Sequence, residues 1–62
     1  MPSEKCKIAL ELLQSKDIAF CDDRRTKTRV VMCCSRAKVE KGEGYSQAMK
    51  SCWAEVKKRC QQ

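Results

Sequence analysis

Apolar residues recur along this chain at helical spacing in three separate stretches. In the first, Cys6, Ala9, Leu10 and Leu13 fall at i, i+3, i+4 and i+7, one stripe of an α-helix, and Ile8 and Leu12 widen it. Ser3, ahead of Glu4 and Lys5, suits the N-cap, and the helix is expected to end between Gln14 and Lys16. In the second stretch, Val30, Cys33, Cys34 and Ala37 repeat the same intervals. Asp22 and Asp23 precede it and suit a helix N-terminus, so a helix is predicted from about Arg24 to Lys41. Gly42-Glu43-Gly44 closes it, because glycine enters the left-handed conformation freely. The third stripe is Tyr45, Ala48, Met49, Cys52, Trp53, Val56 and Cys60, with Gln47, Lys50, Ser51, Glu55, Lys57 and Lys58 on the other face. Lys57, Lys58 and Arg59 occupy its last turn, where cations complement the helix dipole. Between the first two helices, Ile18, Ala19 and Phe20 are apolar enough to plug the end of a core. The expected fold is all-α, a helical hairpin with a third, tethered helix, in one small cystine-rich domain spanning residues 1–62.

Size makes the cysteines decisive. A chain of 62 residues buries only about 60% of the surface its unfolded form exposes, and such scaffolds need staples. Six cysteines, close to a tenth of the residues, read as a disulfide framework, and the even count leaves no obligatory spare thiol. Each bridge is expected to add about 2–4 kcal/mol by restricting the unfolded chain.

Six cysteines allow 15 connectivities, which spacing can rank but not settle. A tight turn at Glu43 makes the second and third helices antiparallel. Cys34 lies nine residues before Glu43 and Cys52 nine after it, so they stand level. Cys60 is then level with the start of the second helix, where Cys21 waits. Cys6 and Cys33 are equidistant from a turn near Ala19 or Phe20. Neighbouring positions on a helix point about 100° apart, so Cys33 can face back while Cys34 faces forward. The competing set exchanges the two, pairing Cys33 with Cys52 and Cys6 with Cys34.

Several chemistries are disfavoured. There is no histidine, the usual general base and zinc ligand, and no C-x-x-C. A cysteine nucleophile would lack its activating base. No catalytic residue, metal site or cofactor is therefore expected. No apolar run approaches the roughly 18 residues of a membrane span. The net charge of +6 favours acidic protein surfaces, anionic lipid or nucleic acid as partners, although a solvated surface is its ordinary meaning. The run Arg24, Arg25, Thr26, Lys27, Thr28, Arg29 could grip phosphates, but it has no interleaved aromatic residues and does not favour nucleic acid. Trp53 and Tyr45 lie on the cysteine face of the third helix. Core packing is the default for both, and partner contact is the functional alternative.

Two helices joined by a tight turn, with an outer and an inner disulfide nested across them, resemble the coiled-coil-helix-coiled-coil-helix proteins of the mitochondrial intermembrane space. The resemblance runs from Cys21 to Cys60, about two thirds of the chain. It implies that Cys21 pairs with Cys60 and Cys34 with Cys52, and Cys6–Cys33 looks like the extra tether found in small members with a third helix. The family's usual C-x9-C pairs are replaced here by Cys21-x12-Cys34 and Cys52-x7-Cys60. The segment from Val39 to Tyr45 is similar to the turn of the family's copper chaperone, whose metal-binding cysteines are an adjacent pair ahead of the hairpin. Cys33 and Cys34 fall inside a helix, so copper binding is not carried over. The Met1-Pro2 start shows no secretory signal, which fits import without a cleaved presequence. The resemblance implies a non-enzymatic accessory subunit or assembly factor of a respiratory complex, whose partner is a larger protein or membrane-protein complex. The alternative expectation is a secreted basic cystine-rich peptide: a toxin, a host-defence peptide or an effector.

Overall fold

A computed structural model describes residues 3–61; the Met1-Pro2 start, on which the import expectation rests, lies outside them. The described residues form three α-helices and one 3-10 turn: α1 (Glu4–Gln14), the turn Ala19–Asp22, α2 (Arg24–Glu40) and α3 (Tyr45–Cys60). No strand is present among them. α2 is the central helix, packed against α3 along one side and against α1 and the 3-10 turn along another.

Each boundary has a local cause. The Ser3 hydroxyl accepts from the Cys6 amide at 3.1 Å and starts α1. At the far end the Ser15 amide reaches back to the Glu11 carbonyl, and the Asp17 carboxylate accepts from the Ala19 amide at 2.8 Å. These short-range bonds turn the chain toward α2. Asp23 caps α2 by accepting from the Arg25 and Thr26 amides and from the Thr26 hydroxyl. At the C-terminal end Gly42 takes φ +104°, its amide donates to Val39 and the Glu43 amide to Lys38. That is the paired closing pattern available when the residue past the cap is left-handed. Gly44 is extended and caps α3 without a side chain.

The core is built from Ala9, Phe20, Val30, Val31, Ala48, Val56 and buried cysteines. It departs from the expected stripes in several places. Of the three residues expected to plug the core, only Phe20 does so, at 4% exposure; Ile18 is 41% exposed and Ala19 is also outside. Ile8 faces solvent rather than widening the α1 stripe, because α1 meets neighbours on one side only. Val31 and Ser35, off the α2 stripe, are buried because α2 has neighbours on two sides. The Ser35 hydroxyl is satisfied within its own helix, donating to the Val31 carbonyl at 2.8 Å, and it touches Met49 Sδ.

Candidate functional site

Three disulfides frame everything else. Cys34–Cys52 and Cys21–Cys60 are nested across the α2–α3 hairpin, with Cα separations of 5.9 and 5.6 Å, and Cys6–Cys33 ties α1 to α2 at 5.3 Å. Of the two assignments open for the adjacent pair, the structure adopts Cys33 toward α1 and Cys34 toward α3. No free cysteine remains.

The Cys34 and Cys52 sulfurs and a Glu55 carboxylate oxygen lie within 4.8 Å of one another. The sulfurs are bonded to each other, so neither is a thiolate, and binding of a metal here requires prior reduction. The same Glu55 oxygen is held at 2.9 Å by the Lys38 ammonium, which also donates to the Ser51 hydroxyl at 2.6 Å. Lys38, Ser51 and Glu55 thus cover one edge of the inner bridge as a local ion-pair network.

The basic run at the start of α2 is not one patch. Arg24 and Arg25 are exposed at the helix start. Lys27 turns toward α3 and lines a depression of about 350 Å³ with Trp53, Ala54, Val56, Lys57 and Cys60. Arg29 and Thr26 lie on the other side, where they line a depression with Lys5, Ile8 and Leu12 of α1. Residues two apart on a helix point well away from each other, which is why a continuous run divides. The acidity of Asp23, at the N-cap of this helix, is displaced. The Thr26 hydroxyl and amide hold its carboxyl below 3.8, with the Arg25 amide and guanidinium adding to the effect.

Trp53 and Tyr45 are not core residues. Trp53 is 42% and Tyr45 56% exposed, although both belong to the apolar stripe of α3. Tyr45 lies at the turn, and Trp53 stands on an edge of α3 that no third element covers among the described residues. Tyr45 borders a second shallow depression, about 250 Å³, with Met32, Arg36, Val39 and Glu40. Met32 and Val39 are exposed, and they are the contributors that stripe reading missed. Their only signal is that they are apolar and off the α2 stripe.

On the opposite flank, Leu13 of α1 lines a depression with Glu55, Lys58 and Arg59. Arg59 Nε and Nη2 are enclosed there without a hydrogen-bond partner. None of these groups assembles a nucleophile with a base.

No protein-family model, no curated protein and no solved structure matches the chain. What its own structure establishes is a cystine-stabilised helical protein.

Proposed function

We propose that this is a non-enzymatic structural protein of the mitochondrial intermembrane space, an accessory subunit of a respiratory complex or an assembly factor for one. The observation that carries the reading is the nesting of Cys34–Cys52 inside Cys21–Cys60 across an antiparallel hairpin, with α1 tethered by a third bridge. That is the arrangement the resemblance implies. The bridges hold a thin hairpin rigid, so exposed side chains on it are presented to a partner without a large ordering cost on binding. Trp53 and Tyr45, with cations beside them, are the side chains best suited to anchor such a contact.

The second reading is a secreted basic cystine-rich peptide. It is favoured by one observation, the exposed indole beside Lys27 and Lys57 on a chain of net charge +6. Expression of a C-terminally tagged chain in cultured cells separates the two. The first reading expects an oxidised protein that resists protease in intact mitochondria and is digested once the outer membrane is ruptured. Recovery in the medium, or as a reduced cytosolic protein, overturns it.

A further inference from the structure

Four of the six exposed large apolar residues among the described residues, Met32, Val39, Tyr45 and Trp53, lie on the flank of the hairpin that faces away from α1. The two flanks can be told apart by what α1 touches. Leu13 lines a depression with Glu55, Lys58 and Arg59, and Leu12 and Ala9 line another with Thr26 and Arg29. Among the described residues, no element covers the other flank. On α3, Tyr45, Met49, Trp53 and Lys57 succeed one another at intervals of four and form one ridge along it. Met49 touches Ser35 of α2 in the middle of this ridge. Beside one end lie Met32, Arg36 and Val39, and beside the other lies Lys27. Met32, Val39, Tyr45 and Trp53 are all exposed.

The charges on this flank have one dominant sign. Lys27 and Lys57 rim the depression at Trp53, where no acidic side chain lines the wall. Arg36 stands at the depression by Tyr45, with Glu40 as its single acidic neighbour there. The depressions are separate and open to solvent, on a molecule whose longest dimension is 30 Å. That relief suits a broad, soft surface better than a single inserted group. Tyrosine and tryptophan favour the boundary between headgroups and acyl chains, where the ring is sheltered and its polar atom stays wet. Lysine and arginine stems add apolar cover while their charged ends reach headgroups.

We infer that this flank binds the surface of an anionic lipid bilayer, with Trp53, Tyr45, Met32 and Val39 entering the interface and Lys27, Lys57 and Arg36 meeting acidic headgroups. The binding is peripheral, since no helix among the described residues is long and apolar enough to cross a membrane. Each cation held at an anionic surface strengthens partitioning about fivefold, so loss of two costs about 25-fold.

The chain has a single tryptophan, which makes its own reporter. The oxidised protein is titrated with vesicles of phosphatidylcholine alone and of phosphatidylcholine with three parts in ten phosphatidylglycerol. The expected result is a blue shift of Trp53 emission and protection from iodide with the anionic vesicles, with at least about tenfold weaker binding to the neutral ones and reversal by salt. Vesicle co-sedimentation then compares Lys27→Glu/Lys57→Glu with Lys5→Glu/Lys7→Glu on α1, two variants of equal net charge. The first pair is expected to lose binding by at least about 25-fold and the second to stay within about threefold. Met32→Ser/Val39→Ser, whose helicity is checked by circular dichroism, is expected to weaken binding without changing its salt dependence. No blue shift with anionic vesicles overturns the inference, as does equal loss in both charge pairs, which would reduce the effect to net charge. A blue shift that grows with protein concentration in buffer alone gives the face to a second copy. A shift produced by the acidic peptide acetyl-Glu-Glu-Leu-Glu-Glu-Leu-amide but not by vesicles gives it to an acidic protein segment; either result overturns the bilayer assignment.

Discussion

Removing the Cys6–Cys33 bridge is expected to release α1 alone and leave the α2–α3 hairpin folded. The perturbation is the double substitution Cys6→Ala/Cys33→Ala. The bridge spans a sequence separation of 27, for which the loop-entropy expression gives about 3.6 kcal/mol at room temperature. The other anchorage of α1 is thin. Ala9 is its one fully covered side chain besides the bridged cysteine, and Leu10, Leu12 and Leu13 are only partly buried against the core. Together these bring roughly 4 kcal/mol of apolar burial. That gain must offset the ordering of a helix of 11 residues, a length at which an isolated helix is marginal in water. A loss of about 3.6 kcal/mol therefore exceeds what holds α1 in place. The hairpin, by contrast, keeps both of its nested bridges. Since α1 holds 11 helical residues against 17 in α2 and 16 in α3, the far-ultraviolet helix signal is expected to fall by about a quarter. Amide exchange read by NMR is expected to speed up in α1 by at least about a hundredfold, with α2 and α3 still protected. Unchanged protection in α1 would refute the reasoning by showing that packing alone holds the helix. Collapse of the whole signal would refute it in the other direction, making α1 part of one indivisible core.

Asp23 holds the start of α2, and its folded pKa is depressed, so its contribution to stability is present at neutral pH and is lost as pH falls through that depressed value. NMR titration should place its midpoint below 3.8, and the deficit of Asp23→Ala relative to the parent chain should vanish at the acid end of a pH series of unfolding midpoints. Gly42→Ala is expected to cost about 1 kcal/mol in a denaturant titration, since its φ of +104° strains an L-residue although the space around it is open. Gly44→Ser, at an extended N-cap with no side-chain bond, should be neutral or stabilising by a few tenths of a kcal/mol. Arg59→Met should raise the unfolding midpoint or leave it unchanged, because two enclosed guanidinium nitrogens lack partners and each unpaired buried donor costs about 1–3 kcal/mol. A clear loss of stability in that variant would mean that the guanidinium is satisfied by solvent.

The sequence by itself determined the helices and their ends, because those are set by atoms a few residues apart. Ser3, Asp23 and Gly42 each act on backbone groups within four positions, and all three occupy the places their chemistry suggests. The nested hairpin bridges were also within reach, since two cysteines nine residues either side of a tight turn stand level in any antiparallel pair. What only the tertiary structure decided is which apolar side chains find cover. A helical stripe gives a direction about its own axis, and burial needs another element in that direction. Trp53, Tyr45 and Ile8 share stripes with buried residues yet remain exposed, because no element among the described residues packs over them. Val31 and Ser35 lie off the stripe yet are buried, because α2 is flanked twice. The same packing decided between Cys33 and Cys34 as partner of Cys6. Their directions differ by about 100° whichever way α1 approaches, and only the side on which α1 lies says which thiol meets it. The candidate docking flank was hidden for the same reason: its residues come from two helices and become one surface only where α1 leaves it bare.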